Sequence, residues 1–384
     1  MLKSLKLSGL LSFGPDSPAT ELRELNLLIG PNASGKSNFI EAVGLLRATP
    51  QNLGVALSEG GGMLDWLWKG EAGVQGELDA FLTYDKFRSL HHRLVLAQAG
   101  QKLELVDERI EGTEIKAGKS KPYLYFGYEN GRPMLNVKTR ARRLQREDLD
   151  PQQSVLSQRK DPDQFPELSF LGDMYQRVRL YRDWRMGRDA PPRRPQQASL
   201  PNDYLSEDAS NLGMVLSSLR LNVPVKKELI EALRQVFDGI TDFSVKIEGG
   251  TVQVFLEEDR WLIPATRLSD GTVRWLALLS VLLHPKPPPL VCIEEPEIGL
   301  HPDLMPTLAR LLKQASARMQ LIVTTHSEAL INAFTDAPDN VLVCERTDGC
   351  TTLKRLDQGA LSEWLKMYSL GELWSKGELG GTRW

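Results

Sequence analysis

Cysteine and histidine are scarce in this chain, which has three cysteines and five histidines among 384 residues. The cysteines are Cys292, Cys344 and Cys350, and neither they nor the scattered histidines show a spacing typical of metal ligands. This argues against a structural zinc site and predicts a protein of the reducing cytoplasm.

Long apolar runs are also missing, since none approaches the roughly 20 residues that cross a bilayer. The first residues, MLKSLKLSGLLSFGPD, alternate apolar and polar side chains and lack a small-residue cleavage site. They therefore predict a strand and not a signal peptide. No internal repeat and no sustained heptad pattern occurs, which argues against a solenoid and a coiled coil. We expect no association with a membrane.

An excess of charge of one sign is missing from the chain as a whole, whose net charge is -3. The balance is nevertheless uneven, because residues 138–194 carry fourteen Lys or Arg against nine Asp or Glu. This basic segment is either a surface for nucleic acid or phosphate, or a solvated insertion.

Length and periodicity predict a mixed α/β protein of two or three domains, or one large domain with insertions. The nearly all-apolar runs PLVCIEE and QLIVTTH suit parallel strands that are buried on both faces. Short alternating runs within residues 51–137 predict an antiparallel β region. FSVKIEGGTVQVFLEED predicts a hairpin around Gly249 and Gly250.

Residues 30–37, GPNASGKS, lie between a predicted strand and a predicted helix and match the pattern G-x-x-x-x-G-K-[ST]. Gly30 and Gly35 allow the backbone to curl, so that N–H groups and the positive end of the helix dipole face phosphate oxygens. Lys36 is expected to reach the β- and γ-phosphates and to serve catalysis, and the hydroxyl of Ser37 is expected to bind Mg²⁺. The pattern predicts a site for ATP and Mg²⁺ formed by Gly30, Pro31, Asn32, Ala33, Ser34, Gly35, Lys36, Ser37 and Asn38.

Two acids, Glu294 and Glu295, end the apolar run PLVCIEE. We predict that Glu294 holds Mg²⁺, mostly through water, and that Glu295 orients and polarises the attacking water. The alternative is an acidic strand end stopped by Pro296. A further apolar strand ends at His326, which we expect near the γ-phosphate as a catalytic residue, the alternative being a structural histidine.

The pentapeptide LSDGT, residues 268–272, precedes the acidic strand. The order of phosphate loop, LSDGT, acidic strand and histidine strand resembles the ATP-binding-cassette ATPases, which have LSGGQ at this place. The resemblance implies that Ser269, Asp270 and Gly271 face a nucleotide held by a second protomer. Asp270 departs from LSGGQ, and a triphosphate would repel its carboxylate. We therefore expect Asp270 to turn away and to cap its own helix.

PEIGLHP, LSDGT and the strand next to the phosphate loop narrow the resemblance to the RecF/SMC-type branch. Within it, the chain is similar to stand-alone predicted ATPases of the AAA family from bacterial defence and genome-maintenance loci. The resemblance implies that Gln158, in SVLSQRKDP, binds Mg²⁺ and senses the γ-phosphate, the alternative being a solvated loop glutamine. Phe13 is a candidate for stacking on adenine, the alternative being an aromatic side chain that packs in the core. Most of these ATPases have Asp where this chain has Glu294.

The fold that the resemblance implies is an α/β ATPase head of the ABC/RecF type, with a mixed central sheet, an antiparallel β lobe and a helical insertion. Its predicted parts are an ATPase core of residues 1–50 and 201–345, a β lobe of residues 51–137, a basic insertion of residues 138–200 with Gln158, and a tail of residues 346–384. No D-x-D pair follows His326, so we expect no nuclease within the chain.

Three functions fit these motifs. The favoured one is a cytoplasmic ATP-hydrolysing engine that dimerises around two nucleotides and drives or licenses a partner. Its candidate partners are DNA and a separately encoded nuclease or effector, in DNA repair or antiviral defence. The second is a nucleotide-gated scaffold with little hydrolysis that holds an effector. The third, the ATPase subunit of a membrane transporter, is disfavoured by LSDGT and by the long insertion before it.

Overall fold

The computed structural model describes residues 1–59, 62–71, 73–100, 102–115, 118–129, 132–137, 140–143, 149–150 and 152–381. The chain forms two compact units. Unit 1 comprises Met1–Val178, Leu342–Arg355 and Gly380–Trp384, and unit 2 comprises Arg179–Val341 and Leu356–Leu379. The predicted division into ATPase core, β lobe, insertion and tail stays a prediction.

Runs of strands and runs of helices follow one another along the chain. The strands are β1 (Leu2–Ser8), β2 (Thr20–Glu21), β3 (Leu25–Ile29), β4 (Gly76–Thr83), β5 (Ser89–Ala99), β6 (Lys102–Gly112), β7 (Leu124–Glu129), β8 (Arg132–Val137), β9 (Arg140–Arg143), β10 (Arg179–Tyr181), β11 (Gln196–Gln197), β12 (Ile240–Glu248), β13 (Thr251–Glu258), β14 (Trp261–Pro264), β15 (Leu290–Glu294), β16 (Gln320–Thr324), β17 (Val341–Thr347) and β18 (Cys350–Arg355). The α-helices are α1 (Lys36–Ala48), α2 (Leu53–Glu59), α3 (Met63–Trp66), α4 (Val155–Gln158), α5 (Pro166–Gln176), α6 (Leu212–Leu219), α7 (Val223–Arg234), α8 (Asp270–Leu282), α9 (Met305–Ser316), α10 (Glu328–Asn332), α11 (Gln358–Leu361) and α12 (Leu370–Ser375). Within the residues that the structure describes, none of these helices combines the length and apolar character needed to cross a membrane.

The large sheet of unit 1 is antiparallel, with the strand order β2-β1-β4-β5-β6-β7-β8-β9. Along β4, Leu78, Ala80 and Leu82 are buried and alternate with half-buried residues, the pattern of a strand with one face on a core. The alternating runs thus form antiparallel strands, as predicted. The start of that region is helical instead, because Leu53 and Leu57 are buried at helical spacing in α2.

Strand β3 and helix α1 of unit 1 enclose the phosphate-loop sequence between them. All residues of β3 are buried. Helix α1 buries Phe39, Ile40, Val43 and Leu46 along one face, so its apolar period of 3.6 residues appears as the sequence predicted. The antiparallel hairpin β17–β18 belongs to the same unit.

Unit 2 contains three parallel strands in the order β10, β15, β16. Every residue of β16 is buried, as the apolar run predicted for a parallel strand covered on both faces. The register pairs Tyr181 with Ile293 and Glu294 with Thr324. Because parallel strands all end at one edge, the residues that follow them, including Arg182, collect at the carboxyl edge of this sheet.

A second sheet of unit 2 is antiparallel and joins β11, β12, β13 and β14. The expected hairpin forms between β12 and β13, and Gly249 and Gly250 have φ angles of 56° and 77° in its turn. Strand β14 then leads through a 3-10 helix, Ala265–Arg267, into LSDGT and the buried helix α8.

Candidate functional site

Residues 30–35 curl between β3 and α1 in unit 1. Gly30, Ala33 and Gly35 have φ angles of 148°, 62° and 105°. A Cβ atom on Gly30 would lie 2.2 Å from the carbonyl oxygen of Cys344, and one on Gly35 would lie 2.2 Å from Oγ1 of Thr351. Both positions therefore require glycine, for the backbone angle and for lack of space.

Lys36 begins α1, and its side chain is buried. Its Nζ donates to the carbonyl oxygens of Gly30 and Pro31, each at 2.8 Å. Helix α1 has neither a side-chain cap nor an acidic residue in its first turn. The helix dipole and the ammonium group thus place positive charge at the curl, an arrangement suited to an anion.

Polar groups on the hairpin β17–β18 form hydrogen bonds with the phosphate loop. The carbonyl oxygen of Ser34 accepts from Oγ1 of Thr351 at 2.8 Å and from Sγ of Cys344 at 3.2 Å. Burial raises the pKa of the Cys344 thiol, which keeps the proton that this bond needs. Ser12 Oγ lies 2.7 Å from Thr351 Oγ1 and accepts from Nδ2 of Asn38 at 2.8 Å. These contacts could not be predicted from the sequence, because the pattern of the phosphate loop does not involve the distant residues that form them.

A cavity of about 510 Å³ opens in unit 1 beside these groups. Ser12 and Asn38 line it together with Trp68, Lys69 and Arg346. Three acids, Glu41, Asp65 and Asp348, also line the cavity, and Asp65 pairs with Lys69 at 3.0 Å. The lining is therefore mixed in charge, and its indole suits a ligand with a flat ring.

Two residues singled out by resemblance have other partners in unit 1. Oε1 of Gln158 accepts from the N–H of Asp150 at 2.9 Å, and its Nε2 donates to the carbonyl oxygen of Gln153 at 3.0 Å. The amide of Gln158 thus closes the turn before α4, and a role in binding Mg²⁺ stays a prediction. Phe13 is buried, and its ring centroid lies 6.2 Å from that of Phe39, so it packs in the core.

The acids that end β15 point to different partners in unit 2. Oε1 of Glu294 accepts from Nε of Arg182 at 2.8 Å. Oε1 of Glu295 lies 3.4 Å from Nε2 of His326. Glu295 has a φ of 46°, and its N–H donates to the carbonyl oxygen of Thr324 at 3.1 Å. A positive φ outside glycine costs about 1–3 kcal/mol, and the surrounding structure must stabilise it. This sharp turn separates the two carboxylates and brings Glu295 to His326.

A third acid, Glu297, supports the histidine and was missed at the sequence level. It accepts from Oγ1 of Thr325 at 2.5 Å and from the N–H of His326 at 2.9 Å. Burial raises the pKa of Glu297 above its usual range in spite of these bonds, and the Glu295 carboxylate adds to the rise. The acid in PEIGLHP was visible in the sequence, but its partner on another strand was not.

LSDGT forms the turn into α8, and Ser269 is the N-cap residue of that helix. Its Oγ accepts from the N–H of Thr272 at 3.1 Å. Ser269 and Asp270 are exposed. A Cβ on Gly271 would lie 2.4 Å from the carbonyl oxygen of Gly299, so glycine is required at this position. Gly271, two residues after the exposed cap, thus lies against the turn that follows the acids within unit 2.

Asp270 does not cap its own helix, and that expectation is wrong. Its carboxylate accepts from the guanidinium of Arg193, a side chain that is only 4% exposed. Arg193 also donates to the carbonyl oxygens of Ala265 at 3.1 Å and Leu268 at 2.5 Å. Ser269 already holds the cap position, and a buried guanidinium requires a counter-charge. Asp270, at which this chain departs from LSGGQ, therefore pairs with a buried arginine.

Comparison with known proteins shows the family and the fold of the chain. A family model described as "AAA domain, putative AbiEii toxin, Type IV TA system" matches residues 25–332. No match is found among the curated proteins.

Several solved structures share the fold. One is an Smc head bound to the C-winged helix domain of ScpA, with a TM-score of 0.58, 14% identity, and coverage of 94% of this chain and 99% of that chain. Another is an Smc head with an extended coiled coil bound to the C-terminal domain of ScpA, derived from Pyrococcus furiosus. Its TM-score is 0.58 and its identity 14%, with coverage of 95% of this chain and 98% of that chain. A third is an Smc head with a coiled coil and joint derived from Pyrococcus yayanosii. Its TM-score is 0.51 and its identity 12%, with coverage of 95% of this chain and 99% of that chain. The predicted α/β head fold with its large antiparallel sheet is thereby confirmed.

Proposed function

Because the chain belongs to the AAA-domain family described as AbiEii-type and is an ATPase domain of the SMC/AAA type, we propose that it binds ATP with Mg²⁺ and hydrolyses it. The phosphate loop carries this proposal. Its two glycines leave no room for a Cβ, and Lys36 lies across the carbonyl oxygens of the curl. Such a loop accommodates the oxygens of a phosphate chain and few other ligands.

The residues fit a magnesium nucleotide. The hydroxyl of Ser37 and the carboxylate of Glu294 are oxygen donors of the kind that Mg²⁺ prefers and would bind it, and Gln158 is a third candidate. Within the described ranges, no three His, Cys, Asp or Glu side chains converge to hold a metal alone, so phosphate oxygens would complete the coordination. When bound, Mg²⁺ would neutralise charge on the phosphates.

The other residues divide the remaining work. Lys36 would bind the β- and γ-phosphates, and the cavity beside Ser12 and Asn38 would receive the nucleoside. Glu295 would orient the attacking water and accept its proton, while His326 lies 3.4 Å from the same carboxylate oxygen and would face the γ-phosphate.

The larger proposal is a dimeric engine that drives or licenses a partner. Exposed Ser269 at the start of α8 supports a composite site, in which the LSDGT segment of one copy contacts the nucleotide bound to another copy. The SMC heads similar in fold are bound to ScpA in two of the solved structures, and we propose that this chain also acts on a partner protein. DNA is a candidate partner because of the basic segment 138–194, in genome maintenance or antiviral defence in the cytoplasm. Arg140, Arg142 and Arg143 belong to that segment, but their side chains lie outside the described residues.

The test compares Lys36→Ala with Glu295→Gln. We expect Lys36→Ala to weaken ATP binding, because the phosphates lose their cation. Glu295→Gln should keep ATP bound and lower turnover by about 100-fold or more, because the water loses its base. Binding is measured by fluorescence anisotropy and turnover by phosphate release. Lys227→Ala, on an exposed lysine of α7, is the control and should change neither quantity.

Full turnover in Glu295→Gln would remove the role given to Glu295. Tight ATP binding with negligible turnover in the wild-type protein would favour the nucleotide-gated scaffold over the engine. The same proteins are mixed with duplex DNA at rising salt concentrations. Binding through phosphates must weaken steeply with salt, and no binding at low salt would make the basic segment a solvated surface.

A further inference from the structure

Arg182 lies beside one of the two acids because of strand register. Strands β10 and β15 are parallel, and Tyr181 is the partner of Ile293. One residue further along each strand, Nε of Arg182 donates to Oε1 of Glu294 at 2.8 Å. The side chain of Glu294 is 16% exposed and that of Arg182 is 37% exposed, so the contact is open to solvent on the Arg182 side.

The backbone that carries Arg182 is anchored on both sides. The hydroxyl of Tyr181 donates to the carbonyl oxygen of Leu205 at 2.8 Å, and the N–H of Leu180 donates to Oε1 of Glu207 at 2.9 Å. The rings of Tyr181 and Trp184 meet edge to face, 5.2 Å apart. These contacts tie the end of β10, which leads into Arg182, to other parts of unit 2.

A guanidinium and Mg²⁺ make competing demands on the same carboxylate. Both bind carboxylate oxygens, and two cations close together repel each other. We propose that Arg182 is a positioning residue that holds Glu294 in the absence of metal and yields its oxygen when a magnesium nucleotide arrives. This inference rests on the proposed function, since it assigns Glu294 to the metal. The consequence is that Arg182 raises the Mg²⁺ concentration that the site requires.

The experiment measures the coupling between Mg²⁺ and nucleotide, not turnover. Binding of fluorescent ATPγS is followed in EDTA and at increasing Mg²⁺ in the wild-type protein and in Arg182→Gln. We expect equal affinity in EDTA and a Mg²⁺ half-saturation about threefold to fivefold lower in the variant, the size of an ion pair of this exposure. Arg182→Lys, which keeps the positive charge, should stay near the wild-type value.

Arg185→Gln is the matched control. Arg185 is three residues away, is 84% exposed and pairs with Asp183 instead of a site residue. Its replacement should leave the Mg²⁺ half-saturation unchanged. Arg182→Met, which keeps the aliphatic stem, takes the place of Arg182→Gln if the latter does not fold.

The outcomes are separable. An unchanged or higher Mg²⁺ requirement after removal of the Arg182 charge overturns the inference. Weaker binding in EDTA also overturns it, because Arg182 would then contact the phosphates directly. A wild-type protein that binds no ATPγS under any condition overturns the proposed function itself, and this inference with it.

Discussion

Arg193 and Asp270 form an ion pair of unequal burial at the start of α8. The side chain of Arg193 is 4% exposed, whereas that of Asp270 is 67% exposed. The buried guanidinium lost its water on folding, and Asp270 is one of the acceptors that replace it. Asp270 is therefore needed for the geometry of the turn that presents Ser269.

Replacing Asp270 by Asn should destabilise the protein. The amide keeps an acceptor but not the charge, so we expect the free energy of unfolding to fall by about 1–2 kcal/mol, less than for a fully buried pair because Asp270 is exposed. Urea unfolding followed by fluorescence measures the loss.

Asp336→Asn is the control for that measurement. Asp336 is 72% exposed and pairs with Lys313, which is 29% exposed and retains water. Its replacement should cost less than that of Asp270. Equal costs would show that the burial of Arg193 does not matter to the pair.

At the scale of elements, the outer face of β4, β5 and β6 carries a cluster of charges around His91. Nε2 of His91 lies 2.7 Å from Oδ1 of Asp79, and Nδ1 lies 3.1 Å from Oε1 of Glu111. The ring of Phe81 stacks on His91 with centroids 4.3 Å apart. Burial alone would lower the pKa of His91, but the bonds to the two carboxylates outweigh it and raise the pKa.

The cluster predicts a pH-dependent contribution to stability. Because the pKa of His91 in the folded protein is above its ordinary 6.5, the contribution is complete below that value and is lost as the pH rises through the folded pKa. His91→Gln should therefore reduce the free energy of unfolding more at pH 6 than at pH 9, as measured by urea unfolding at both.

His301→Gln serves as the comparison, since that histidine is 74% exposed and its contact with Asp303 belongs to a surface pair of little expected value. If His91→Gln costs the same at both pH values, the charged form of His91 does not stabilise the sheet.

At the scale of the whole molecule, the proposed dimer requires that Ser269 serve a nucleotide bound to a second copy. ATP should then promote association, since bound nucleotide adds contacts between copies. Ser269→Arg should leave ATP binding largely intact, because Lys36 is untouched, and should abolish both association and hydrolysis. Light scattering and phosphate release are the measurements. Ser269→Asn keeps a capping side chain and separates loss of the cap from a blocked surface.

Mixing Ser269→Arg with Lys36→Ala sharpens this test. In one composite site of the mixed dimer, both the phosphate loop and the LSDGT segment are then unmutated. Activity therefore returns if the two sites act independently. No recovery would mean that both must act together. A Ser269→Arg protein that associates and hydrolyses normally would reduce LSDGT to a helix cap and contradict the composite site.

The sequence alone determined the features that depend on short stretches of chain. Gly30 and Gly35 are required by local backbone curvature, and the apolar runs of β15 and β16 follow from burial on both faces. The order of these motifs resembles that of the ABC/RecF-type ATPases, and this resemblance predicted the head fold that the solved structures confirm. Residues 53–59 were an exception, because an isolated short apolar run is compatible with either period.

Only the tertiary structure decided which side chains support those motifs. Thr351 reaches Ser34 across 317 positions, Arg182 reaches Glu294 across 112, and Arg193 reaches Leu268 across 75. Each contact depends on strand register or on how loops pack, and a shift of one residue in a strand would turn its side chains to the other face. Local sequence patterns contain no record of that register, so the supports of the site became visible only when the strands were aligned.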